Sequence, residues 1–393
     1  MLPAFIVLVS LSLILVLTIR ISQWSVLREP IPPTFTGSLP PVRILKPLKG
    51  VDAELEENLH SIFNLDYPEF DVALGAEDPQ DPALEVAKKV MDQHPGVPSM
   101  VIGNSRAIGP NPKVNNLANL ILSDGPELIL ISDSNVRVPR EHLRDLVARH
   151  LANGRGLSWS LFRGTGGKGL GGALEELQLN TFVFGGACAI LRLTRLPGAL
   201  GKSMLLSRSD LALIGGFGML SRYLAEDQVM AEQLVRFGRP VVASNLLVDN
   251  ILGRRTITDF AARHLRWARL RRNMNLPAYL LEALINPVFL ALVGLAVLRT
   301  PASLIVAGIT LGIVSLLDAW AERCAGVKRN IFLYPPLELA LSVAKGLLWF
   351  VPLFSRKLEW RGNVIKIGRG SLIETEKQLD KERLDFIGPG AYD

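Results

Sequence analysis

The chain has 393 residues but only two cysteines, Cys188 and Cys324, which lie far apart in segments of different composition. Two isolated thiols exclude a disulfide framework and a thiolate metal site, and they fit a reducing compartment. No internal repeat is visible, and no glycine spacing matches a P-loop or a dinucleotide-binding fingerprint. These absences exclude the commonest sequence motifs for binding a nucleotide.

A basic stripe separate from the apolar segments is also missing. The net charge is +6, with 43 Lys and Arg against 37 Asp and Glu, but the basic residues concentrate beside apolar runs. Basic residues in that position face anionic lipid headgroups rather than nucleic acid. We therefore predict an anionic bilayer surface as a partner and no nucleic acid. The sequence carries no signal for an oligomeric state.

Charge is absent from residues 1–19, which are mostly Leu, Ile and Val. At about 1.5 Å per residue, this run crosses most of a hydrocarbon layer of about 30 Å. A cleaved signal peptide is the alternative, but no basic region precedes the run and no small-x-small cleavage site follows it. Residues 283–298 and 301–317 are also free of charge and predict a helical hairpin in the membrane. Residues 331–355 contain Glu338, Lys345 and three prolines, so a crossing, a re-entrant segment and an interfacial segment all stay open.

These segments divide the chain into five predicted parts. They are a transmembrane anchor at 1–22, a proline-rich linker at 23–41, a folded domain at 42–275, a membrane hairpin with a re-entrant, interfacial or third helix at 276–356, and a basic tail at 357–393. The basic clusters that flank the first three apolar runs lie on the cytoplasmic side if the folded domain does. We predict an integral membrane protein whose folded domain faces the cytoplasm, in a bacterial inner membrane or in the Golgi or ER.

The folded domain alternates predicted strands and helices. Strands are predicted at 42–45, 71–75, 99–102 and 127–132, and helices at 52–63, 82–92, 113–122 and 140–152. This alternation predicts an α/β fold with a mostly parallel sheet that helices cover on both faces. The six glycines of residues 164–172 predict a flexible loop near the site or the membrane.

Carboxylates follow two of these strands and begin a later helix. Asp78 and Asp133 lie just beyond strand ends, where parallel sheets bind ligands. Asp133 and Asn135 are two apart and could present hard oxygens to a divalent metal, Mg²⁺ or Mn²⁺, that bridges a diphosphate. Helix capping by Asp133 and turn formation by Asp78 are the alternatives. Glu226 and Asp227 begin a predicted helix, where one can stabilise the N-terminus and the other act as a base.

Basic side chains supply groups that could bind a diphosphate. Lys113 lies at a predicted helix start, which favours phosphate, although an ordinary helix start explains it equally well. Arg263 and Arg266 are three apart on a predicted helix and share a face, and Trp267 is adjacent. A basic helix at the membrane surface with an interfacial tryptophan is the alternative.

Taken together, these segments resemble the ceramide glucosyltransferase family, glycosyltransferase family 21, which includes bacterial hopanoid glycosyltransferases. The resemblance covers residues 42–275 and rests on the segments at 45–52, 64–68, 78–82, 111–116, 133–138, 215–216, 225–231 and 263–267. The family pattern is three aspartates followed by (Q/R)xxRW, which here ends in Arg266 and Trp267.

The resemblance implies a GT-A fold, which is Rossmann-like, and an inverting transfer of a hexose from a UDP-sugar to the hydroxyl of a membrane lipid such as ceramide. Carried over by position, Asp78 contacts the nucleotide, Asp133 contacts the metal and diphosphate, and Asp227 deprotonates the acceptor. Arg266 and Trp267 clamp the diphosphate, with Arg263 and Lys113 as further donor-binding residues.

Three other functions share parts of this pattern. A hopanoid glycosyltransferase that uses UDP-N-acetylglucosamine and a processive polysaccharide synthase carry the same residue types, although the synthase usually has more spans. A non-enzymatic membrane scaffold is disfavoured because the aspartates and Arg266 are all retained. Animal members of the family have a histidine after the glycine-rich stretch, whereas residues 174–188 have none, so the acceptor lipid stays open.

Overall fold

A computed structural model describes residues 1–30, 37–194, 196–355, 357–360 and 363–374. Part of the predicted proline-rich linker, residues 31–36, and the predicted basic tail beyond residue 374 lie outside the described residues.

An eight-stranded sheet forms the centre of the folded domain. Its strands are β1 (Val42–Pro47), β2 (Phe70–Ala76), β3 (Ser99–Gly103), β4 (Leu128–Ser132), β5 (Val136–Arg137), β6 (Leu157–Lys168), β7 (Ser203–Ser207) and β8 (Val241–Arg254). They lie in the order β3-β2-β1-β4-β7-β6-β8-β5. The pairs β1/β2, β1/β4, β2/β3 and β6/β8 are parallel, and β4/β7, β6/β7 and β5/β8 are antiparallel. The carboxyl ends of β1, β2 and β4 therefore share one edge.

In the described ranges, fifteen α-helices surround the sheet or extend from it. They are α1 (Leu2–Leu27), α2 (Leu55–Phe63), α3 (Ala83–Gln93), α4 (Pro112–Leu120), α5 (His142–Ala152), α6 (Gly169–Gln178), α7 (Phe184–Leu193), α8 (Arg208–Leu213), α9 (Gly216–Leu220), α10 (Glu226–Arg236), α11 (Ile257–Met274), α12 (Leu276–Leu281), α13 (Pro287–Leu298), α14 (Pro301–Cys324) and α15 (Tyr334–Phe354). A π-helical turn, Leu179–Val183, joins α6 to α7.

The central strands are apolar because both faces of the sheet are covered. All six residues of β1 and all five of β4 are buried. Successive side chains of a strand point to opposite faces, so Ile44 and Leu130 enter one core cluster while Leu45 and Ile131 enter the other. This two-sided burial produces the continuous apolar runs typical of parallel strands.

The prediction of a flexible loop at residues 164–172 is wrong. These residues form the end of β6 and the start of α6. A Cβ on Gly167 would lie 2.4 Å from the carbonyl oxygen of Gly172, and a Cβ on Gly171 would lie 2.0 Å from that of Thr256. The glycines are required because the backbones of β6, α6 and the segment before α11 approach each other closely.

Within the part of the chain that the structure describes, three helical segments are long and apolar enough to cross a membrane: α1, α14 and Ile331–Phe354, which contains α15. A further apolar pair, Leu276–Ile285 and Pro287–Leu298, is bent by 71°. The predicted hairpin corresponds to α13 and α14, but α13 has 12 residues, about 18 Å at the rise of an α-helix. α13 alone is therefore shorter than a hydrocarbon layer of about 30 Å. The bend interrupts the first half of the predicted hairpin, within residues 276–298.

α15 lies lengthwise along α11. Phe260 near the start of α11 shares a core cluster with Tyr334 at the start of α15, and Arg271 and Trp349 near the other ends line one cavity. The helix is continuous although it contains Pro352. Because the same segment is long and apolar enough to cross a membrane, the crossing, re-entrant and interfacial alternatives for residues 331–355 all stay open.

The described part of the tail returns to the folded domain. It forms a small antiparallel sheet of β9 (Lys357–Trp360), β10 (Asn363–Ile367) and β11 (Ile373–Glu374). The backbone N–H of Leu224, just before α10, donates to the carbonyl of Ser371 at 2.9 Å. The tail therefore packs beside the loop that leads to Asp227.

A buried ion pair attaches α1 to α14. The Arg20 guanidinium donates to Asp318 Oδ1 at 2.7 Å, and the two side chains are 7% and 2% exposed. Arg20 also donates to the Thr181 carbonyl at 2.7 Å. A single charge left at this position would be unpaired and buried, which is strongly destabilising.

Arg20→Met is therefore expected to lower the free energy of unfolding by about 3–5 kcal/mol. Unfolding in detergent micelles, followed by tryptophan fluorescence, measures the effect. The control is Arg192→Met, which removes a half-exposed pair with Glu29 and should cost less than about 1 kcal/mol. The double variant Arg20→Met/Asp318→Leu should recover most of the loss, and equal losses in Arg20→Met and Arg192→Met would contradict the assignment.

Candidate functional site

Antiparallel pairing brings Lys202 to Asp133. Ser132 at the end of β4 lies opposite Ser203 at the start of β7, so the residues just beyond them are neighbours. The Lys202 ammonium lies 3.0 Å from Asp133 Oδ2 and donates to Asn135 Oδ1 at 2.9 Å. The carboxylate and the amide oxygen therefore converge on one cation.

Lys113 joins Asp133 to the start of α10. Its ammonium lies 2.9 Å from Asp133 Oδ1 and 2.9 Å from Glu226 Oε1. The Asn111 side chain caps α4 by accepting from the backbone N–H groups of Lys113 and Val114, which anchors the lysine at the helix start. The structure thus brings together two predicted site residues, Lys113 and Asp133.

The two lysines control the charge of Asp133. Burial alone would raise the pKa of this carboxyl, but Lys113 and Lys202 outweigh burial and hold the pKa well below its usual range. Burial would likewise lower the pKa of Lys113, but Asp133, Glu226 and Asp227 together raise it. Both groups therefore stay charged throughout the physiological pH range.

Asp227 is held by backbone N–H groups. Its Oδ2 accepts from Gly201 at 2.7 Å and its Oδ1 accepts from Gln228 at 2.8 Å. Burial, followed by the charge of the neighbouring Glu226, raises the pKa of Asp227 to about 6 against the opposing effects of Lys113 and the two backbone hydrogen bonds. A carboxylate with this pKa is ionised at pH 7 and can accept a proton more readily than an ordinary aspartate.

On α11, the predicted basic and aromatic residues form a stacked group. The Arg263 guanidinium lies 4.9 Å from the centre of the Trp267 ring and 2.9 Å from the buried carboxylate of Glu175 on α6. The His264 ring meets Trp267 edge-on at 5.4 Å. Arg266 is half-buried. Arg263 therefore fixes α11 against α6 and orients the Trp267 ring.

Asp78 is exposed and binds within its own turn. Its Oδ1 accepts from the backbone N–H of Gln80 at 2.9 Å, which is the turn role considered above. It follows β2, whereas Asp133 follows β4, and β1 lies between these strands. The structure therefore places Asp78 on the same edge of the sheet as Asp133 but not in the Lys113 cluster.

The donor atoms near Asp133 fit a hard cation. Asp133 Oδ2 and Asn135 Oδ1 already converge on the Lys202 ammonium, and Mg²⁺ in proteins typically takes one or two carboxylates together with substrate phosphates. In the parts of the chain that the structure describes, no group of three or more His, Cys, Asp or Glu residues could hold a metal. The two oxygens are thus suited to a metal shared with a phosphate ligand.

Two lysines of the site were not predicted. Lys202 precedes a short apolar strand, and its link to Asp133 depends on strand pairing across 69 residues. Lys46 lies in the middle of the buried strand β1 and donates to the Val136 carbonyl at 3.0 Å. Burial lowers the pKa of Lys46 to about 7, against the opposing effects of Asp133 and Asp52. A lysine that directly follows the apolar pair Ile44 and Leu45 in a predicted strand was the available signal.

Known proteins are similar in sequence to this chain over most of its length. A ceramide glucosyltransferase of Komagataella phaffii is 30% identical over 313 residues, which cover 64% of this chain and 60% of that protein. Ceramide glucosyltransferase 1 of Caenorhabditis elegans is 26% identical over 357 residues, which cover 88% of this chain and 75% of that protein. The chain thus spans 60% of the length of the yeast relative.

Among solved structures, a mannosyltransferase from Pyrobaculum calidifontis, determined with GDP-Man and Mn²⁺, matches with a TM-score of 0.50 and 16% identity. The match covers 88% of this chain and 99% of that chain. It confirms the predicted GT-A-like α/β fold with a mostly parallel sheet. The sequence profile of glycosyl transferase family 21 matches residues 4–373, and the chain therefore belongs to this family.

Proposed function

We propose that the protein is a membrane-bound glycosyltransferase that moves a hexose from a UDP-sugar to the hydroxyl of a membrane lipid such as ceramide. Family membership over residues 4–373, the two relatives named as ceramide glucosyltransferases and three helical segments suited to a membrane support this function. The observation that carries it is the half-buried carboxylate of Asp227 beside a lysine cluster at the edge of the sheet.

The proposed chemistry is a direct displacement with inversion at the anomeric carbon. The hydroxyl oxygen of the lipid attacks that carbon while its proton passes to an Asp227 oxygen. The bond from the anomeric carbon to the diphosphate breaks, and UDP leaves with the electron pair. Lys113, Lys202 and Arg266 would stabilise the charge that develops on the diphosphate, which is usually the largest catalytic effect of such groups.

The other predicted site residues keep their proposed roles, with one refinement. Asp78 would contact the nucleotide, and Trp267 would close the site over the diphosphate. Arg263 is already paired with Glu175 at 2.9 Å, so we assign it a positioning role toward Trp267 rather than a direct phosphate contact.

Asp133 and Asn135 would hold a divalent metal together with the donor diphosphate. Bound there, Mg²⁺ or Mn²⁺ would neutralise part of the diphosphate charge. Lys202, which contacts both oxygens, would turn to the phosphate oxygens that the metal leaves open.

The proposed location is an integral membrane protein whose folded domain faces the cytoplasm. Five arginines between residues 263 and 272 lie on α11, which packs along the apolar helix α15. Basic groups beside an apolar helix would suit the anionic headgroups of the cytoplasmic leaflet.

Incubation of the purified protein with a panel of UDP-sugars and total membrane lipids tests the function. The expected product, identified by mass spectrometry, is a monohexosyl lipid, and its formation should fall when EDTA replaces Mg²⁺ or Mn²⁺. A long polymer instead of a single sugar would favour the polysaccharide synthase, and transfer of N-acetylglucosamine to a hopanoid would favour that alternative. Absence of transfer from every UDP-sugar would contradict the proposal.

A further inference from the structure

A cavity of about 210 Å³ lies between α11, α13 and α15 and the turn that follows α6. It is larger than an engineered protein cavity of about 150 Å³ that binds benzene. Most of its wall is apolar and comes from the bent apolar pair and from α15: Phe289, Leu290, Val293, Leu348 and Phe350. Its size and lining suit part of an aliphatic chain.

Two polar atoms at the α11 side of the cavity lack partners. Gln178 and His264 line the cavity and are 4% and 7% exposed. Gln178 Oε1 and His264 Nε2 are buried and have no hydrogen-bond partner among the residues that the structure describes. Such a buried group costs about 1–3 kcal/mol when it stays unsatisfied. The pair therefore indicates a ligand that brings its own hydrogen-bonding groups.

The chemistry of these atoms favours a neutral head. Burial, followed by the charge of Arg263, lowers the pKa of His264 to about 3, so the ring is neutral at pH 7. Gln178 Oε1 only accepts, so the ligand must donate to it, whereas a hydroxyl can serve either tautomer of the histidine. The charged groups that line the cavity have partners: Arg271 is paired with Glu282 at 2.8 Å, and the Lys345 ammonium lies 5.1 Å from the centre of the Phe182 ring.

The cavity meets the candidate active site at one residue. The His264 ring, which lines the cavity, contacts Trp267 edge-on. Gln178 and Phe182 lie at the π-helical turn Leu179–Val183, a geometry that often marks functional sites.

We propose that this cavity binds the acceptor lipid, a neutral amphiphile with hydroxyl and amide groups in its head and an aliphatic chain. The amide and one hydroxyl of the head bind Gln178 and His264, a second hydroxyl is left to react at Asp227, and the chain lies between α13 and α15. The inference rests on the proposed function because it assigns a site to the acceptor of that reaction.

The first test fills the cavity. Ala268 lines the cavity and is buried. Ala268→Phe should therefore raise the KM for a short-chain N-acylsphingosine in mixed micelles by at least about tenfold, the effect expected when a substrate group no longer fits its apolar pocket. UDP binding, measured by calorimetry, should not change. The control is Ala296→Phe on the exposed side of α13, which should leave both values unchanged. An unchanged KM in Ala268→Phe would overturn the proposal.

A second test covers the case in which Ala268→Phe does not fold. A diazirine analogue of N-acylsphingosine should crosslink to the segments that contain Phe182 and Leu348 in the full-length protein. Unlabelled N-acylsphingosine should compete, and vesicles of phosphatidylglycerol should not. Gln178→Met, of similar size, should weaken the crosslink. Crosslinks confined to other segments, or competition by phosphatidylglycerol alone, would overturn the assignment.

The two proposals fail in different ways. If the lipid crosslinks in the cavity but no UDP-sugar yields a product, the proposed function fails while the lipid site stands. If sugar transfer continues with an unchanged KM in Ala268→Phe, the lipid site fails while the function stands.

Discussion

Asp227→Asn is expected to lower the kcat of sugar transfer by about 10²- to 10⁴-fold, the usual contribution of a general base. Asparagine has nearly the same shape, and its single side-chain oxygen can still accept from one of the two N–H groups, those of Gly201 and Gln228, that bind the separate oxygens of Asp227 at 2.7 and 2.8 Å. It cannot take a proton from the acceptor. UDP affinity, measured by calorimetry, should therefore stay unchanged.

The wild-type pH profile gives an independent check on Asp227. Its pKa of about 6 means that the carboxyl becomes protonated as the pH falls, and a protonated carboxyl cannot act as the base. The value of kcat/KM should fall about tenfold per pH unit below pH 6 and level off above it. The matched control is Asp92→Asn at an exposed position of α3. Full turnover in Asp227→Asn, or a loss of UDP binding equal to the loss of turnover, would refute the role.

Lys113→Met is expected to have the second largest effect, a loss of about 10²- to 10³-fold in kcat at pH 7. Lys113 is 2.9 Å from Asp133 and 2.9 Å from Glu226, so its removal leaves their charges without a shared cation. Lys113 also lowers the pKa of Asp227. Without it, that pKa rises, and the acidic limb of the pH profile should move to higher pH.

Two further variants test whether the effect depends on the charge and position of Lys113. Lys113→Arg keeps the charge and should leave the acidic limb near its wild-type position. Lys89→Met removes an exposed lysine that pairs with Glu56 at 2.7 Å, and it should leave kcat and the pH profile unchanged. A Lys113→Met variant with reduced activity but an unshifted acidic limb would show that the lysine does not act on Asp227.

Local sequence patterns predict much of the sheet because strands that are buried on both faces consist mostly of apolar residues. The apolar run at 127–132 became β4 (Leu128–Ser132), and the position of Asp133 at its end followed from strand geometry. The same reasoning placed Asp78 at that edge. It could not show that Asp78 binds its own turn, because that depends on the backbone conformation of only a few residues.

Long-range pairing accounts for what the sequence did not predict. Lys202 contacts Asp133 only because β7 runs antiparallel beside β4. No local sequence pattern indicates that β7 is the strand beside β4. The glycines at 167 and 171 looked flexible because their close contacts, with Gly172 and Thr256, form only when β6, α6 and the segment before α11 pack together. Lys46 had a local signal, since its neighbours in β1 are buried, but its partner Val136 is 90 residues away.

The Arg20–Asp318 pair also has a consequence for biogenesis. Its two residues are 298 positions apart, so at about 5–20 residues per second the ribosome delivers Asp318 about 15–60 s after Arg20. During that interval the first helix carries a guanidinium whose counterion has not been made. A nascent chain that stops before α14 keeps this charge unpaired, and cellular quality control can recognise it as incomplete.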